Sequence, residues 1–395
     1  MAVLEGIRVL DLGIHIAAPY CTSLLADQGA EVIRIERPGG DNDRRIGYGG
    51  NTGDSYAFMA RNRNKRGITL DITTEPGREI LYELVRRSDV LVEALPTGEM
   101  KAKLGVDYAC LSGVNQRIIV VSVSAFGLTG PYADRAGFDT VAQALSGAMS
   151  CTGFPGDAPL RSAVAWVDFA TGLHAVVGVM FALWDRLKTG RGQLVDVALL
   201  DSAAVLMMLH GIYGEYIKQG VERPQLANYA AYTYANTFRA KDGWVFISCT
   251  RDGIWRRFAR IIGRDDLLED SRFRTDWDRF VHRQEIDGIV NAWAASRSVE
   301  EITGILGDRV PCCRVNSIPE AVAEPQLASR EMIIPLEYEG AGEVPVPGSP
   351  VKLSDAPCRI LRPAPLVGEH NREIYVDLLD YSEDRMRELE NRKVI

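Results

Sequence analysis

The side chain with the clearest chemical potential is the carboxylate of Asp168, which is flanked by the apolar residues Trp166, Val167 and Phe169. The stretch follows a loop rich in glycine and proline, and it opens a long apolar run from Leu173 to Leu187. Aspartate is favoured at helix N-caps, where it accepts hydrogen bonds from the first free N–H groups. A carboxylate in a dry pocket can also act as a nucleophile. These residues alone leave both interpretations open.

A second group of chemically interesting residues is basic. Arg37 precedes a Pro-Gly-Gly turn, Arg44 and Arg45 follow it, and the run Arg61–Arg66 leads into a strand-like segment at 67–71. Loops near the carboxyl ends of strands are where open α/β sheets bind their ligands. Because the whole chain is acidic, with a net charge of −8 at pH 7, so dense a cluster favours an anionic, phosphate-bearing ligand over a merely solvated loop.

Other catalytic patterns are missing from the sequence. The five histidines have no metal-ligand spacing, so no metal site is predicted. The sequence lacks both the G-x-S-x-G elbow of serine hydrolases and the phosphate-binding loop G-x-x-x-x-G-K-[ST]. Cys21 and Cys151 lie in apolar sequence, where a buried and inert thiol is expected.

The segments that must position Asp168 are typical of an α/β domain. The segments 8–12 and 31–36 have the pattern of buried strands, and 17–29 between them has helical spacing. Strand, helix and strand form a βαβ unit, which implies a parallel sheet with a right-handed crossover. Further strand candidates lie at 67–71, 89–93, 117–126 and 193–199, and helical segments alternate with them. The pattern predicts a Rossmann-like, doubly wound parallel sheet, without the G-x-G-x-x-G turn of NAD-binding proteins.

Length and composition predict two domains in a cytoplasmic protein. A single core seldom grows past about 300 residues, and the chain has 395. We predict the first part of a large domain at 1–224, a smaller α/β domain at 225–318, and a linker that returns to the large domain at 319–395. The acidic charge argues against a nucleic-acid partner. Neither a signal peptide nor an apolar run of the ~20 residues that span a bilayer is evident, so no membrane partner is predicted.

Short segments along the chain share their order and spacing with one known family. They are residues 4–12, 25–39, 62–66, 129–132, 189–193, 320–327 and 368–370. Together they resemble the class III, or CaiB/BaiF-type, CoA-transferases, the group that contains formyl-CoA transferase. The resemblance implies a CoA thioester as substrate with no tightly bound cofactor, and a homodimer of two interlocked rings.

The resemblance also implies a mechanism, because Asp168 falls on the nucleophilic aspartate of the family. Its carboxylate attacks an acyl-CoA donor, for which succinyl-CoA is the habit of the family, and gives a mixed anhydride and CoA thiolate. The thiolate then forms an aspartyl-CoA thioester. An acceptor carboxylate attacks that thioester, and CoA returns to the new acyl group. The chemistry needs an ionised aspartate and the exclusion of water.

Residues that contact CoA are implied by position. They are His15, Ile16, Ala17, Arg37, Leu70, Thr73, Leu95, Lys103 and Phe126. Formyl-CoA transferase carries glutamine at the position of Ile16, and its glycine-rich flap has no counterpart around 226–235. We therefore expect an acceptor that is bulkier or more apolar than oxalate.

Two other functions are weighed against transfer. The α-methylacyl-CoA racemases share the fold, but their Gly-His-Asp triplet is here Gly137-Phe138-Asp139, and phenylalanine cannot move a proton. An acyl-CoA lyase or isomerase remains an alternative, as does a CoA-binding relative without catalysis. A requirement for a second, carboxylate substrate distinguishes the transferase from both.

Overall fold

Runs of valine, isoleucine and leucine form a parallel sheet that is covered by helices on both faces. The structure is a computed structural model, and it describes residues 2–49, 52–95 and 97–395. The six strands are β1 (Arg8–Leu12), β2 (Glu31–Glu36), β3 (Arg66–Thr69), β4 (Val90–Glu93), β5 (Ile119–Ser124) and β6 (Leu194–Ala198). Their order is β3-β2-β1-β4-β5-β6, the doubly wound order of Rossmann folds. The predicted parallel α/β sheet is confirmed.

Successive side chains of the strands point to opposite faces, so each face has its own core. The helices that accompany the sheet are α1 (Ala17–Asp27), α2 (Tyr56–Arg61), α3 (Glu75–Arg86), α4 (Gly98–Leu104), α5 (Tyr108–Val114), α6 (Asp139–Leu145), α7 (Trp166–Thr189), α8 (Leu199–Leu209) and α9 (Ile212–Gln219). Val9 and Val32 pack with α1 and α7, whereas Leu10 and Ile33 pack with α3. The long helix α7 is therefore a central element of one face.

The contacts of the chain divide it into two units. The large unit comprises the chain up to Ala148, Arg161–Val221 and Pro325–Ile395. The small unit comprises Met149–Leu160 and Glu222–Glu324. The small unit thus includes a segment that precedes α7, and it ends later than the boundary at 318 that we drew from the sequence.

The small unit has a three-stranded antiparallel sheet in the order β7-β8-β9. Its strands and helices are β7 (Ala235–Arg239), β8 (Trp244–Ser248), α10 (Asp252–Ile261), α11 (Asp266–Glu269), α12 (Asp276–Val281), α13 (Arg283–Ala295), α14 (Val299–Leu306), β9 (Cys312–Arg314) and α15 (Ile318–Val322). The sequence predicts a hairpin of 232–239 and 244–249 around the turn Lys241-Asp242-Gly243. Strands β7 and β8 do pair around this turn.

The sequence of 332–350 predicts irregular strands, and in the structure this C-terminal part of the large unit contains a regular hairpin. Its elements are α16 (Pro325–Ser329), β10 (Ile333–Tyr338), β11 (Gly342–Pro347) and α17 (Glu383–Asn391). The prediction of irregular strands is wrong, because β10 and β11 pair along their whole length. Gly340 and Gly342 have φ of 78° and 70°, and such positive φ values allow the tight turn between the strands.

The apolar spacing of 201–219 predicts one continuous helix, but the structure has two helices there. Helix α8 ends before Gly211 and α9 begins after it. Gly211 has a φ of 84°, and a left-handed residue cannot continue a right-handed helix. The apolar spacing continues across this break, so the pattern alone does not reveal it.

By length and composition alone, α7 could cross a membrane, although no sufficiently long apolar run was identified from the sequence. A single helix of this kind is weak evidence, since a core helix of a soluble protein passes the same test. Val167, Ala175 and Val179 on α7 are fully buried and pack with α1 and the sheet. These contacts are those of a core helix.

Helix α7 passes close to α1 at Gly172. A Cβ there would lie 2.8 Å from the carbonyl oxygen of Ala17 and 2.9 Å from the ring of Tyr20. Because the first of these atoms is backbone, we expect Gly172→Ala to lower the free energy of unfolding by about 1–2 kcal/mol in urea denaturation. Gly288 on α13 is the control, since a Cβ there meets open space and alanine favours helix. Equal stability of the two variants would contradict the close packing.

Candidate active site

Asp168 lies in the first turn of α7 but does not cap this helix. The N-cap residue is Ala165, and no N-cap side chain accepts a hydrogen bond. The capping oxygen comes from α6, where Asp139 Oδ2 accepts hydrogen bonds from the backbone N–H groups of Val167 (2.9 Å) and Asp168 (3.2 Å). The interpretation of Asp168 as a plain N-cap is therefore wrong, and its carboxylate is left out of the capping interactions.

Asp139 is held in this position by a second buried side chain. Gln143, one turn further along α6, donates a hydrogen bond from Nε2 to Asp139 Oδ1 (2.5 Å). Its Oε1 accepts a hydrogen bond from the backbone N–H of Ser162 (3.0 Å). Two side chains of α6 thus fix the segment that leads into α7 and the first turn of α7 itself. Sequence reasoning missed both residues.

The surroundings of Asp168 raise its pKa to about 7. Burial is the main cause, because desolvation disfavours the charged carboxylate. The negative charge of Asp139 acts in the same direction, and the positive charge of Arg61 at the end of α2 acts against it. Asp168 therefore titrates far above the usual range of aspartate, and such an environment favours chemistry rather than a structural role.

The carboxylate lines a cavity of about 180 Å³ at the carboxyl ends of the central strands. The walls are largely apolar and include Ile14, Ile16, Ala17, Leu95, Phe138 and Leu199. Polar side chains are contributed by His15, Ser124 and Arg135. The first cavity therefore brings Asp168 together with four of the predicted contacts, His15, Ile16, Ala17 and Leu95.

The loop between β1 and α1 has a strained backbone at this cavity. His15 has a φ of 64°, which a residue with a side chain adopts rarely. Its ring packs edge-on against Phe138, with the centroids 5.7 Å apart. Such outliers cluster at functional sites. Asp11 at the end of β1 stabilises the start of this loop, because its Oδ1 accepts a hydrogen bond from the N–H of Gly13 (2.9 Å).

A second and larger cavity, of about 590 Å³, lies in the same unit at the ends of β1, β2, β3 and β4. Five of the predicted contacts line it, namely Arg37, Leu70, Thr73, Leu95 and Lys103. Arg78 on α3 also lines it and was missed by sequence reasoning. Arg37 pairs with Asp41 (2.9 Å). Three cationic side chains therefore line this cavity together with three carboxylates, those of Glu36, Asp41 and Asp71, and the rest of the lining is mainly apolar.

The two cavities have Ile14 and Leu95 in common. Ile14 follows β1 and Leu95 follows β4, the neighbouring strands from which the sheet extends in both directions. This is the topological switch point, where doubly wound sheets bind their ligands. Glu93 supports this point, because its Oε2 accepts a hydrogen bond from the N–H of Leu95 (2.8 Å) and its Oε1 pairs with buried Lys101 (2.9 Å).

The basic segment is used mainly inside the protein. Buried ion pairs join Lys65 to Asp11 (2.8 Å), Arg63 to Asp27 (2.5 Å) and Arg44 to Glu36 (2.6 Å). The prediction that this segment faces an anion is wrong for these three cations, since an arginine or lysine paired in the core cannot reach a ligand. In that stretch it is Arg37 that reaches the larger cavity.

Three carboxylates of the same region, those of Glu36, Asp41 and Asp43, converge closely enough to hold a metal ion. Arg34 pairs with Asp43 (3.0 Å), and Arg44 pairs with Glu36 (2.6 Å). The guanidinium groups already neutralise the acidic charges, so this cluster is a network of ion pairs at the end of β2 and in the segment that follows it.

Phe126 is not among the residues that line either cavity. Its ring packs on Tyr132, with the centroids 5.5 Å apart, and it lies 3.2 Å from the position of a Cβ on Gly137. Gly137 does line the cavity of Asp168. The ring of Phe126 therefore packs against the outer side of Gly137, which lines the cavity. The predicted contact of Phe126 with CoA stays a prediction.

Known proteins were compared with the chain. The model of CoA-transferase family III matches residues 4–371. The succinyl-CoA–D-citramalate CoA-transferase of Chloroflexus aurantiacus is 33% identical over 396 residues, covering 99% of this chain and 98% of the relative. The formyl-CoA:oxalate CoA-transferase of Streptomyces avermitilis is 35% identical over 416 residues, covering 99% of each.

Similar proteins are found among solved structures and among transferases that act on other acids. The succinate–glutarate CoA-transferase of Agrobacterium fabrum is 35% identical over 389 residues, covering 95% of each chain. A CAIB/BAIF family protein from Brucella suis superposes with a TM-score of 0.85 at 32% identity, over 95% of this chain and 99% of the other. The chain therefore belongs to CoA-transferase family III.

Proposed function

We propose that this enzyme moves CoA from an acyl-CoA donor to a carboxylic acid, with Asp168 as the nucleophile. The observation that carries the proposal is the pair of neighbouring cavities, which share Ile14 and Leu95 in their linings. The nucleotide would lie in the larger cavity with its phosphates at Arg78 and Lys103, and the pantetheine arm would pass Ile14 and Leu95. The thioester would then reach the smaller cavity, where the carboxylate of Asp168 is half-buried.

The chemistry proceeds in four steps. A carboxylate oxygen of Asp168 attacks the thioester carbonyl, which breaks the C–S bond and gives a mixed anhydride and CoA thiolate. The thiolate attacks the aspartyl carbonyl, releases the donor acid and leaves an aspartyl-CoA thioester. The acceptor carboxylate attacks that thioester and frees the thiolate again. The thiolate finally takes the acceptor acyl group and restores the aspartate carboxylate.

The side chains around Asp168 would serve this cycle by excluding water. The anhydride and the thioester both hydrolyse if water reaches them, and the apolar walls limit that side reaction. Ionised Asp168 is the attacking form, so the pKa of about 7 makes the fraction of active enzyme rise through neutral pH. Succinyl-CoA is the donor we propose, because succinyl-CoA stands in the names of several relatives.

We expect Arg78→Gln and Lys103→Gln each to raise the KM for acyl-CoA by about tenfold with little change in kcat, because phosphate contacts hold substrate and transition state alike. Initial rates at varied succinyl-CoA would measure this. Arg86 is a matched control, since it is exposed on the same helix and does not line the cavity. Succinyl-pantetheine, which lacks the nucleotide, should be used equally well by wild type and variants. An equal loss with that donor would contradict the assignment.

The large unit supports a homodimer, and we propose the interlocked form in the cytoplasm. Helices α7 and α8 present large apolar side chains to the outside, among them Phe181, Trp184, Leu187 and Leu209, which are 65–79% exposed. Large apolar side chains exposed in this number on two helices favour an interaction site. A second copy of the chain would cover it.

Trapping of the acyl-enzyme tests the function. The protein is mixed with succinyl-CoA, quenched with hydroxylamine and analysed by mass spectrometry, with Asp168→Ala as control. We expect a hydroxamate on the peptide of Asp168 in the wild type and none in the control. Exchange of CoA should also require a second carboxylic acid. An absence of both signals over a panel of acyl-CoA donors would overturn the proposal and favour a lyase, an isomerase or a CoA-binding protein.

A further inference from the structure

Arg135 is an exposed arginine that lines the cavity of Asp168. It lies in the loop between β5 and α6, and its guanidinium lies over the ring of Tyr132, 4.2 Å from the centroid. Among the residues that the structure describes, no carboxylate pairs with this guanidinium and no acceptor receives a hydrogen bond from it. By contrast, Arg37 in the larger cavity is paired with Asp41.

The surroundings of Arg135 favour a carboxylate ligand. The cavity is mainly apolar, and its acidic side chain is that of Asp168. A guanidinium is planar and matches a carboxylate with two parallel hydrogen bonds. Stacking on Tyr132 holds the group in one orientation, which lowers the entropy lost on binding. A cation in this position is thus ready to accept a carboxylate that enters with the substrate.

We propose that Arg135 binds the far carboxylate of a dicarboxylic acyl group, and that it selects donors and acceptors which carry a second carboxylate. This inference rests on the proposed function, because the near carbonyl carbon must reach Asp168. The methylene chain of the substrate lies along the apolar walls formed by Ile16 and Leu199. The walls alone would accept an uncharged acyl chain equally well, so Arg135 is the residue that decides between the two.

A phosphate of CoA is the competing ligand for this arginine, and the position of Arg135 argues against it. The larger cavity has its own cations in Arg37, Arg78 and Lys103. Arg135 lines the cavity of Asp168 and not the larger one. It therefore lies on the same side of Ile14 and Leu95 as Asp168 and the acyl group, where the phosphates of a bound CoA do not reach.

The test compares donors that differ in the far carboxylate alone. Values of kcat/KM are measured for malonyl-, succinyl- and glutaryl-CoA and for their uncharged counterparts propionyl-, butyryl- and valeryl-CoA. We expect wild type to prefer the charged member of at least one pair. Arg135→Gln should lower kcat/KM for that donor by about 100-fold and leave its counterpart within about threefold. Arg135→Lys, which keeps the charge and loses the fork, should lose about tenfold.

Controls separate this inference from the function on which it rests. Arg191→Gln removes an exposed arginine that lines neither cavity and should change nothing. An equal loss for both members of each pair, with weaker binding of free CoA, would assign Arg135 to CoA and overturn the inference. If wild type is trapped by hydroxylamine but shows no preference between charged and uncharged donors, the inference about Arg135 fails and the proposed function stands. If no donor gives an adduct in wild type, the proposed function fails as well.

Discussion

Asp168→Asn is expected to lower kcat by about 10⁴-fold or more, because the substitution removes the proposed nucleophile and leaves binding in place. The KM for acyl-CoA should change little, since the larger cavity, which we propose for the nucleotide, does not include this residue. Asp168→Glu keeps a carboxylate but moves it by one methylene, and a misplacement of that size costs about 100-fold. Steady-state rates of CoA transfer measure both effects. A kcat for Asp168→Asn within tenfold of wild type would exclude a covalent role.

The same substitution has an opposite effect on stability, and this effect depends on pH. The folded protein raises the pKa of Asp168 from 3.8 to about 7, so it holds this proton more tightly than the unfolded chain does. The carboxyl group therefore loses stabilising effect as the pH rises from about 4 to about 7. Each pKa unit corresponds to about 1.4 kcal/mol. Ionised Asp168 therefore lowers the free energy of unfolding by at most about 4 kcal/mol, and by less where solvent screens the partly exposed carboxylate. We expect Asp168→Asn to raise the Tm at pH 8 and not at pH 4.

The sheet could be predicted from the sequence because its signals are local. Runs such as Arg8–Leu12 and Glu31–Glu36 have apolar residues and turn residues at the right spacing, and one βαβ unit fixes the direction of the strands. The break at Gly211 could not be predicted in the same way. A glycine inside an apolar helical pattern is compatible with a continuous helix, and its left-handed φ of 84° is seen in the structure alone.

The active site could be predicted only in part, and the reason differs from residue to residue. The residue type and apolar neighbours of Asp168 raised two possibilities, and the resemblance to a known family favoured the nucleophile. Asp139, which supplies the capping oxygen, lies 28 residues before Val167 in the sequence. No local pattern encodes a contact over that distance.

The basic segment shows a second limit of sequence reasoning. Lys65 and Arg37 both belong to the basic segment and carry the same charge, but Lys65 is fully buried against Asp11 and Arg37 is largely exposed at a cavity. A sequence gives the type of each charge and not its partner. Arg135 illustrates the converse, since one arginine in a loop carries no sequence signal, and its lack of a carboxylate partner among the described residues becomes visible in three dimensions alone.

Asp139→Asn is expected to move the acidic limb of the pH profile of kcat/KM to lower pH. The charge of Asp139 contributes to the raised pKa of Asp168, so its removal should let Asp168 ionise at lower pH. Asparagine keeps an oxygen for the N–H groups of α7, but its amide then faces the donor Nε2 of Gln143. That donor–donor contact should cost about 1 kcal/mol of stability. The rate on the high-pH plateau should stay close to that of wild type.

Asp139→Ala should behave differently, because it removes the capping oxygen as well as the charge. Two N–H groups at the start of α7 lose their acceptor, which should lower the free energy of unfolding by about 1–2 kcal/mol. The first turn that carries Asp168 is then free to shift, so kcat on the plateau should fall by about 100-fold. Asp134→Asn removes an exposed carboxylate in the loop that precedes α6, and this control should change neither quantity. If the alanine variant kept a normal plateau, Asp139 would not position the nucleophile, and an unmoved limb in the asparagine variant would mean that burial alone sets the pKa of Asp168.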